Sequence, residues 1–211
     1  LIHWIPLNDS VAQDSIGNLN GTIRGAVSAA GRTAKSNTAY YFDGSGKHIN
    51  FGTTDPGKDS NDISICVWFK PDKLVTPNDT NSSKPQANIE YLFSSGGKMS
   101  SIGWALIWSR GRIQCVRKTS SVTATTGRLS YLNTEWHQVC MTYENKNKEL
   151  KLYGDSNLVG TSIGTPGSYT NVFPDIKAGK AGNTAINRNY FKGHIDDIKI
   201  YSGILDEGLV D

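Results

Sequence analysis

No apolar run in this chain approaches the ~20 residues that a membrane-spanning helix requires, so these residues contain no helical anchor. Helical periodicity is almost absent too, which argues against a bundle or an α/β architecture. Charge of one sign is scarce: the net charge is +3 and the Lys and Arg are scattered. Nucleic-acid binders concentrate base on one face, so a nucleic-acid partner is disfavoured. Hydrolytic signatures are missing as well. There is no E-x-D-x-x-E run, and none of His3, His48, His137 or His194 lies beside a G-x-S-x-G elbow. His137, next to Trp136 at a strand start, reads as structural.

What is present is period-two alternation, interrupted every ~8 to 12 residues by Gly, Asn, Asp and Pro, the pattern of an all-β sandwich or barrel. In "DISICVWFK" Ile63, Ile65, Val67 and Phe69 share one face, with Cys66, Trp68 and Lys70 opposite. In "WHQVCMTY" Val139, Met141 and Tyr143 oppose Gln138, Cys140 and Thr142. "KELKLYG" buries Leu150 and Leu152, "GHIDDIKIYS" buries Ile198 and Ile200, and "AYYFDGSGKHINFG" supplies Tyr41, Ile49 and Phe51. "KLVTPNDTNSSKPQAN" has no apolar pattern and reads as a long exposed loop. Neither a repeat nor a linker divides the chain, so residues 1–211 are expected to form a single domain, long enough to bury roughly 70% of the extended surface.

Only three cysteines occur, enough for one disulfide and one spare thiol. Cys66 and Cys140 each lie opposite the aliphatic face of their strand. They would reach bridging distance if those strands were neighbours in register; the alternative is three buried thiols. Cys115 is the remaining one. Sequons at Asn8, Asn20, Asn78 and Asn81 are glycosylation candidates. With a chain that opens on "LIHWIPL", as a mature or excised domain would, they lead to the expectation of an extracellular or secreted location.

Taken in order, "HWIPLNDSVAQDSIGNLNGT", "AYYFDGSGKHINFG", "DISICVWFKP", "EWHQVCMTYE" and "YFKGHIDDIKIYSGIL" resemble the laminin-G-like, concanavalin A-like jelly roll along nearly the whole chain. Pentraxins and thrombospondin N-terminal domains are relatives within that group. The resemblance implies two stacked antiparallel sheets with recognition by loops or a concave face. Pentraxins carry bridged cysteines in the strands matching "ISICVWF" and "HQVCMTY", which supports a Cys66–Cys140 bridge. Their calcium loops are acidic, whereas the matching "SSGGKMSSIGWAL" and "KAGNTAINRNYF" contain no Asp or Glu. The pentraxin ligand site is therefore expected to be missing.

The resemblance also implies one structural calcium, a cation that takes six to eight oxygens. Carried over by position, its ligands are Asp196, Asp43 or the Gly44 carbonyl, and the Asp9 region. The alternative is that Asp196 only accepts backbone hydrogen bonds. Asp14 in "DSIGN" reads as an Asx-turn residue.

Members of the superfamily include glycan hydrolases, whose two carboxylates must share a face, ~5–5.5 Å apart for retention. Asp196 and Asp197 are adjacent, so in a regular strand they point to opposite faces unless a bulge intervenes. Glu144 and Glu149 are five residues apart across a turn. Catalysis is not expected. For ligand binding the candidates are Trp68, Trp104, Trp108, Arg110 and Arg112, since sugars stack on aromatic rings and polar groups orient them. The bland alternatives are core-filling rings and a solvated basic edge of Arg110, Arg112, Arg117 and Lys118. The expected function is non-catalytic, lectin-like extracellular recognition or adhesion, steadied by calcium, within a larger protein. Its partner would be a glycan or an extracellular protein. The alternatives are a protein–protein interaction domain without sugar binding and an accessory domain of a glycan-processing enzyme.

Overall fold

A computed structural model describes residues 1–54, 56, 62–73, 89–95, 103–109, 111–118, 122–127, 133–164, 175–182 and 189–206, with the backbone alone described at 118 and 122–127. Strands are numbered β1 to β15 along the chain. One sheet has eight strands in the order β13 (Asn157–Ile163), β12 (Glu149–Gly154), β11 (His137–Glu144), β6 (Ile63–Pro71), β15 (Lys192–Ser202), β4 (Ala39–Asp43) and β3 (Val27–Ala29). The eighth, β1 (His3–Ile5), pairs with the C-terminal half of β15. The second sheet has seven: β10 (Val122–Gly127), β9 (Arg112–Lys118), β8 (Gly103–Ser109), β7 (Ile89–Ser95), β14 (Ile176–Ala178), β5 (His48–Asn50) and β2 (Thr22–Arg24). All pairings between these strands are antiparallel. This is the all-β jelly-roll sandwich that the alternation and the resemblance lead one to expect.

The sheets close on one apolar core. Ile65, Val67 and Phe69 of β6 and Met141 of β11 meet Phe93, Trp104 and Trp108 of the second sheet. Phe69 and Trp108, whose ring centroids lie 5.5 Å apart, join the two layers. Burying each large side chain contributes roughly 1.5–3 kcal/mol. One assignment is corrected by the pleat: Tyr41 faces away from the core, and its neighbours Tyr40 and Phe42 fill it. In "AYYFD" both parities carry a ring, so alternation did not distinguish them.

Cys66 and Cys140 are direct partners in the β6–β11 register and form a disulfide, with Cα atoms 4.1 Å apart. Cys115 is a buried free thiol. Asp14 behaves as a turn residue: its Oδ1 accepts from the amides of Ile16 and Gly17 and from Trp4, and its Oδ2 from Leu19 and His3. Burial by itself would raise the Asp14 carboxyl. The bonds from His3, Trp4, Gly17 and Leu19 outweigh it and hold the group well below the usual carboxylate range.

Candidate functional site

Outward-facing residues of the eight-stranded sheet form rows across it, because registered neighbours share a face. In one row Tyr41 on β4, His194 on β15 and Lys70 on β6 are direct partners, and Trp136 enters from just before β11. Tyr41 and His194 have ring centroids 5.0 Å apart, and Trp136 meets His194 edge-on at 6.1 Å. All three rings are half-buried, leaving part of each open to solvent. Charged groups border them: Lys70 pairs with Glu135 at 3.6 Å and Lys192 with Asp72 at 3.6 Å. Tyr41 donates its hydroxyl to Asp72 at 2.9 Å, and that bond raises the phenol's pKa. Burial lowers the pKa of His194, which favours the neutral imidazole among these rings.

The next row contains the acidic pair. A bulge interrupts β15 where the three-residue step from Asp196 to Lys199 opposes the two-residue step from Trp68 to Cys66 on β6. Asp197 takes the bulge at φ 48°, a left-handed conformation that Asp tolerates better than most residues. Instead of diverging, the two carboxylates converge, and what they converge on is Arg32. Its Nη2 donates to Asp197 Oδ2 at 3.0 Å, and its Nε lies 3.6 Å from Asp196 Oδ2. The Trp4 indole N–H donates to Asp197 Oδ1, and Lys199 Nζ stands 3.4 Å from its Oδ2. The Arg32 guanidinium also lies over the Trp68 ring, 4.5 Å from its centroid.

Gly31 permits this closure. A Cβ there would meet Thr38 Oγ1 at 2.5 Å and Asp196 Oδ2 at 2.9 Å, so a side chain would lift the Arg32 loop off the acids. Both acidic side chains are buried, 9% exposed at Asp196 and 7% at Asp197. Burial pushes the Asp196 carboxyl up to about 6, reinforced by Asp197 and opposed by Arg32. A hydrolytic pair needs two carboxylates facing a substrate gap; here a cation fills the space between them.

The calcium shell expected from Asp196, Asp43, Gly44 and Asp9 is not assembled. Asp43 pairs with Lys192, four residues from Asp196 along β15. At ~3.3 Å per residue that separates them by ~13 Å. Asp43 serves its own turn: Oδ1 accepts from the Ser45 amide at 2.9 Å and the Ser45 hydroxyl at 2.6 Å, and Oδ2 pairs with Lys47 at 3.2 Å. Those bonds, the Ser45 hydroxyl's first, hold its carboxyl down at about 2. Gly44 turns beside Lys192 at φ 77°, and Asp9 is exposed with its amide bound to the Asn37 carbonyl. Asp196 and Asp197 already have Arg32 and Lys199 as counter-charges, which a dication would have to displace. Among the described residues no group of three or more His, Cys, Asp or Glu is placed to hold a metal.

Of the expected ligand residues, Trp68 lies on the outer face, half-buried. Trp104 and Trp108 are corrected to the core: each is 1% exposed and packed on Phe93 and Phe69 respectively, with no ring face left for a ligand. Two side chains of the expected basic edge are described, and they point to opposite faces of β9. Arg112 is exposed on the outer face of β9, whereas Arg117, at the opposite parity, is buried with its guanidinium 5.4 Å over the Tyr143 ring. Arg110, Asn78 and Asn81 lie outside the described residues; Asn8 and Asn20 are exposed.

Sequence reasoning missed Trp4, Arg32, Tyr41, Trp136 and His194. Lys70 was already placed outward, so pairing parity marks His194 and Tyr41 once the strand order is known; nothing local marks Arg32. His137 is structural as expected, buried between Asp155 at 2.8 Å and Asn133 at 2.8 Å.

The Laminin_G_3 family model, described as the concanavalin A-like lectin/glucanases superfamily, matches residues 28–210. The chain belongs to that superfamily. No curated protein matches it. Among solved structures, the superfamily fold here is similar to domain 4 of AbnA, a GH43 extracellular arabinanase from Geobacillus stearothermophilus, in complex with arabinotriose. The TM-score is 0.71 at 21% identity, covering 100% of this chain and 96% of that one. The CBM40 of a Ruminococcus gnavus IT-sialidase, bound to α2,3-sialyllactose, gives 0.63 at 14% identity over 82% of this chain and 94% of that one. The receptor-binding domain of botulinum neurotoxin mosaic serotype C/D gives 0.69 at 18% identity over 99% of this chain. This chain spans about half of that toxin domain, 49%.

Proposed function

We propose that this domain is a non-catalytic glycan-binding module of an extracellular protein, and that it binds a saccharide on the outer face of the eight-stranded sheet. The observation that carries this reading is the Tyr41–His194–Trp136 row. Sugar rings present an apolar C–H face and a polar hydroxyl edge. The row offers three ring surfaces, and Lys70, Glu135, Asp72 and Lys192 border it with donors and acceptors. Sealing of Asp196 and Asp197 under Arg32 supports a binder over a hydrolase. The fold neighbours that hold arabinotriose and sialyllactose support the same class of ligand. The Cys66–Cys140 bridge fits an oxidising compartment.

A glycan array followed by calorimetric titration of the hits tests this. Trp136→Ala is expected to weaken binding about tenfold or more, the equivalent of at least about 1.4 kcal/mol of ring contact. A blank array would turn the reading to its alternative, protein–protein recognition. The observation favouring that alternative is the edge strand β13, which exposes Leu158 and Ile163.

A further inference from the structure

We infer that Arg24, His48, Lys180 and Tyr190, at the edge of the seven-stranded sheet, form a second site that takes the carboxylate or sulfate group of an acidic saccharide. Arg24 and His48 are direct partners in the β2–β5 register, while Ile23 and Ile49 between the same strands turn to the core. Side chains so placed have Cβ atoms ~4.5–5.5 Å apart, and like charges there repel. Lys180, just beyond β14, lies over the Tyr190 ring, 5.4 Å from its centroid. Tyr190 in turn borders Gly46, in the turn that leads into His48; a Cβ at Gly46 would meet its ring at 3.6 Å.

Nearby cations fall into two groups. Lys177 is neutralised by Asp175 at 2.9 Å and Lys47 by Asp43 at 3.2 Å. Among the described residues, Arg24 and Lys180 have no carboxylate partner. Burial lowers His48, and the charges of Lys180, Lys177 and Arg24 lower it further, so the three cations act on one imidazole. In a chain whose net charge is +3, Arg24 and Lys180 leave this edge with positive charge that the neighbouring acids do not offset. The ligand class follows from what adjoins it. Thr22 and Asn50, two residues along on the same face, supply hydroxyl and amide groups, and Tyr190 supplies a ring, as a sugar requires and a bare anion does not. Arg24 and His48 belong to the seven-stranded sheet, whereas the Trp136 row lies on the eight-stranded one.

The test is titration with a κ-carrageenan hexasaccharide, which carries sulfate and no carboxylate, and with hexagalacturonate, which carries carboxylate and no sulfate, at low and physiological salt. Wild-type protein is expected to bind at least one, more weakly as salt rises. Arg24→Glu with Lys180→Glu should weaken it about tenfold or more, since each change replaces an attracting charge with a repelling one. Lys180→Gln, which keeps the stem packed on Tyr190, should show a smaller loss at an unchanged melting temperature. Failure of wild-type protein to bind either probe at low salt overturns the inference. So does full affinity in the double variant, or loss of binding in Trp136→Ala, which would put the anion on the aromatic row.

Discussion

The two sheets share one core but put their tryptophans to opposite uses. On the seven-stranded sheet Trp104 and Trp108 alternate inward, and the outer face of β8 is left with Ala105 and Ile107 in a small closed apolar cluster. On the eight-stranded sheet Ile, Val and Phe alternate inward, so Trp68, Trp136 and Trp4 lie outside, partly exposed. The same residue type is therefore core filling on one sheet and surface on the other, decided by pleat parity. Only the second arrangement leaves ring area for a partner.

The most severe way to break this contrast is Trp108→Ala, which is expected to cost about 3–5 kcal/mol as a core cavity, read by denaturant unfolding. A loss below about 1 kcal/mol would show that the ring is not core. Next is Arg32→Ala, which strands two buried carboxylates. A fully buried pair broken this way costs about 3–5 kcal/mol. The Arg32 side chain is 36% exposed, so about 1–3 kcal/mol is expected once solvent screening is allowed for.

A third prediction separates two buried acids. Asp196 has a raised pKa, so between about pH 4 and 6 the folded protein holds a proton that the unfolded chain releases. Its contribution to stability therefore declines as pH rises through that window, and Asp196→Asn should remove the slope. Asp14, with a depressed pKa, acts in the opposite sense: its contribution is present above the unfolded carboxylate pKa of about 3.9 and is lost on acidification below it. Equal pH profiles for wild type and Asp196→Asn, measured by chemical denaturation from pH 4 to 7, would contradict the assignment. The smallest stability effect belongs to Trp136→Ala, under about 1 kcal/mol as for other surface changes, even as saccharide affinity falls.

Strand parity was the legible part of this molecule. Apolar alternation in β6 and β11 identified their core faces and set Cys66 and Cys140 on matching sides, because that signal is local. Parity failed where both registers carry rings, as at Tyr40 and Tyr41, and where both acidic neighbours lie at a bulge. That irregularity depends on the β6 partner and not on the residues of β15 alone. Arg32 reaches Asp196 and Asp197 from 164 and 165 residues away in sequence, and no spacing rule reports such a contact. Arg117 looked like surface charge from composition, yet its strand position turns it inward against Tyr143. The aromatic row emerges only once β4, β15 and β6 lie side by side.

Saccharide binding on the outer face of the eight-stranded sheet is the proposal that the contrast between the two sheets supports. It is tested most directly by calorimetric titration of the best array ligand into wild type, Trp136→Ala and Tyr41→Ala, with melting temperatures measured alongside. Affinity is expected to fall about tenfold or more in Trp136→Ala and by less in Tyr41→Ala, both at near-native stability. Undiminished affinity in both variants would contradict the proposal.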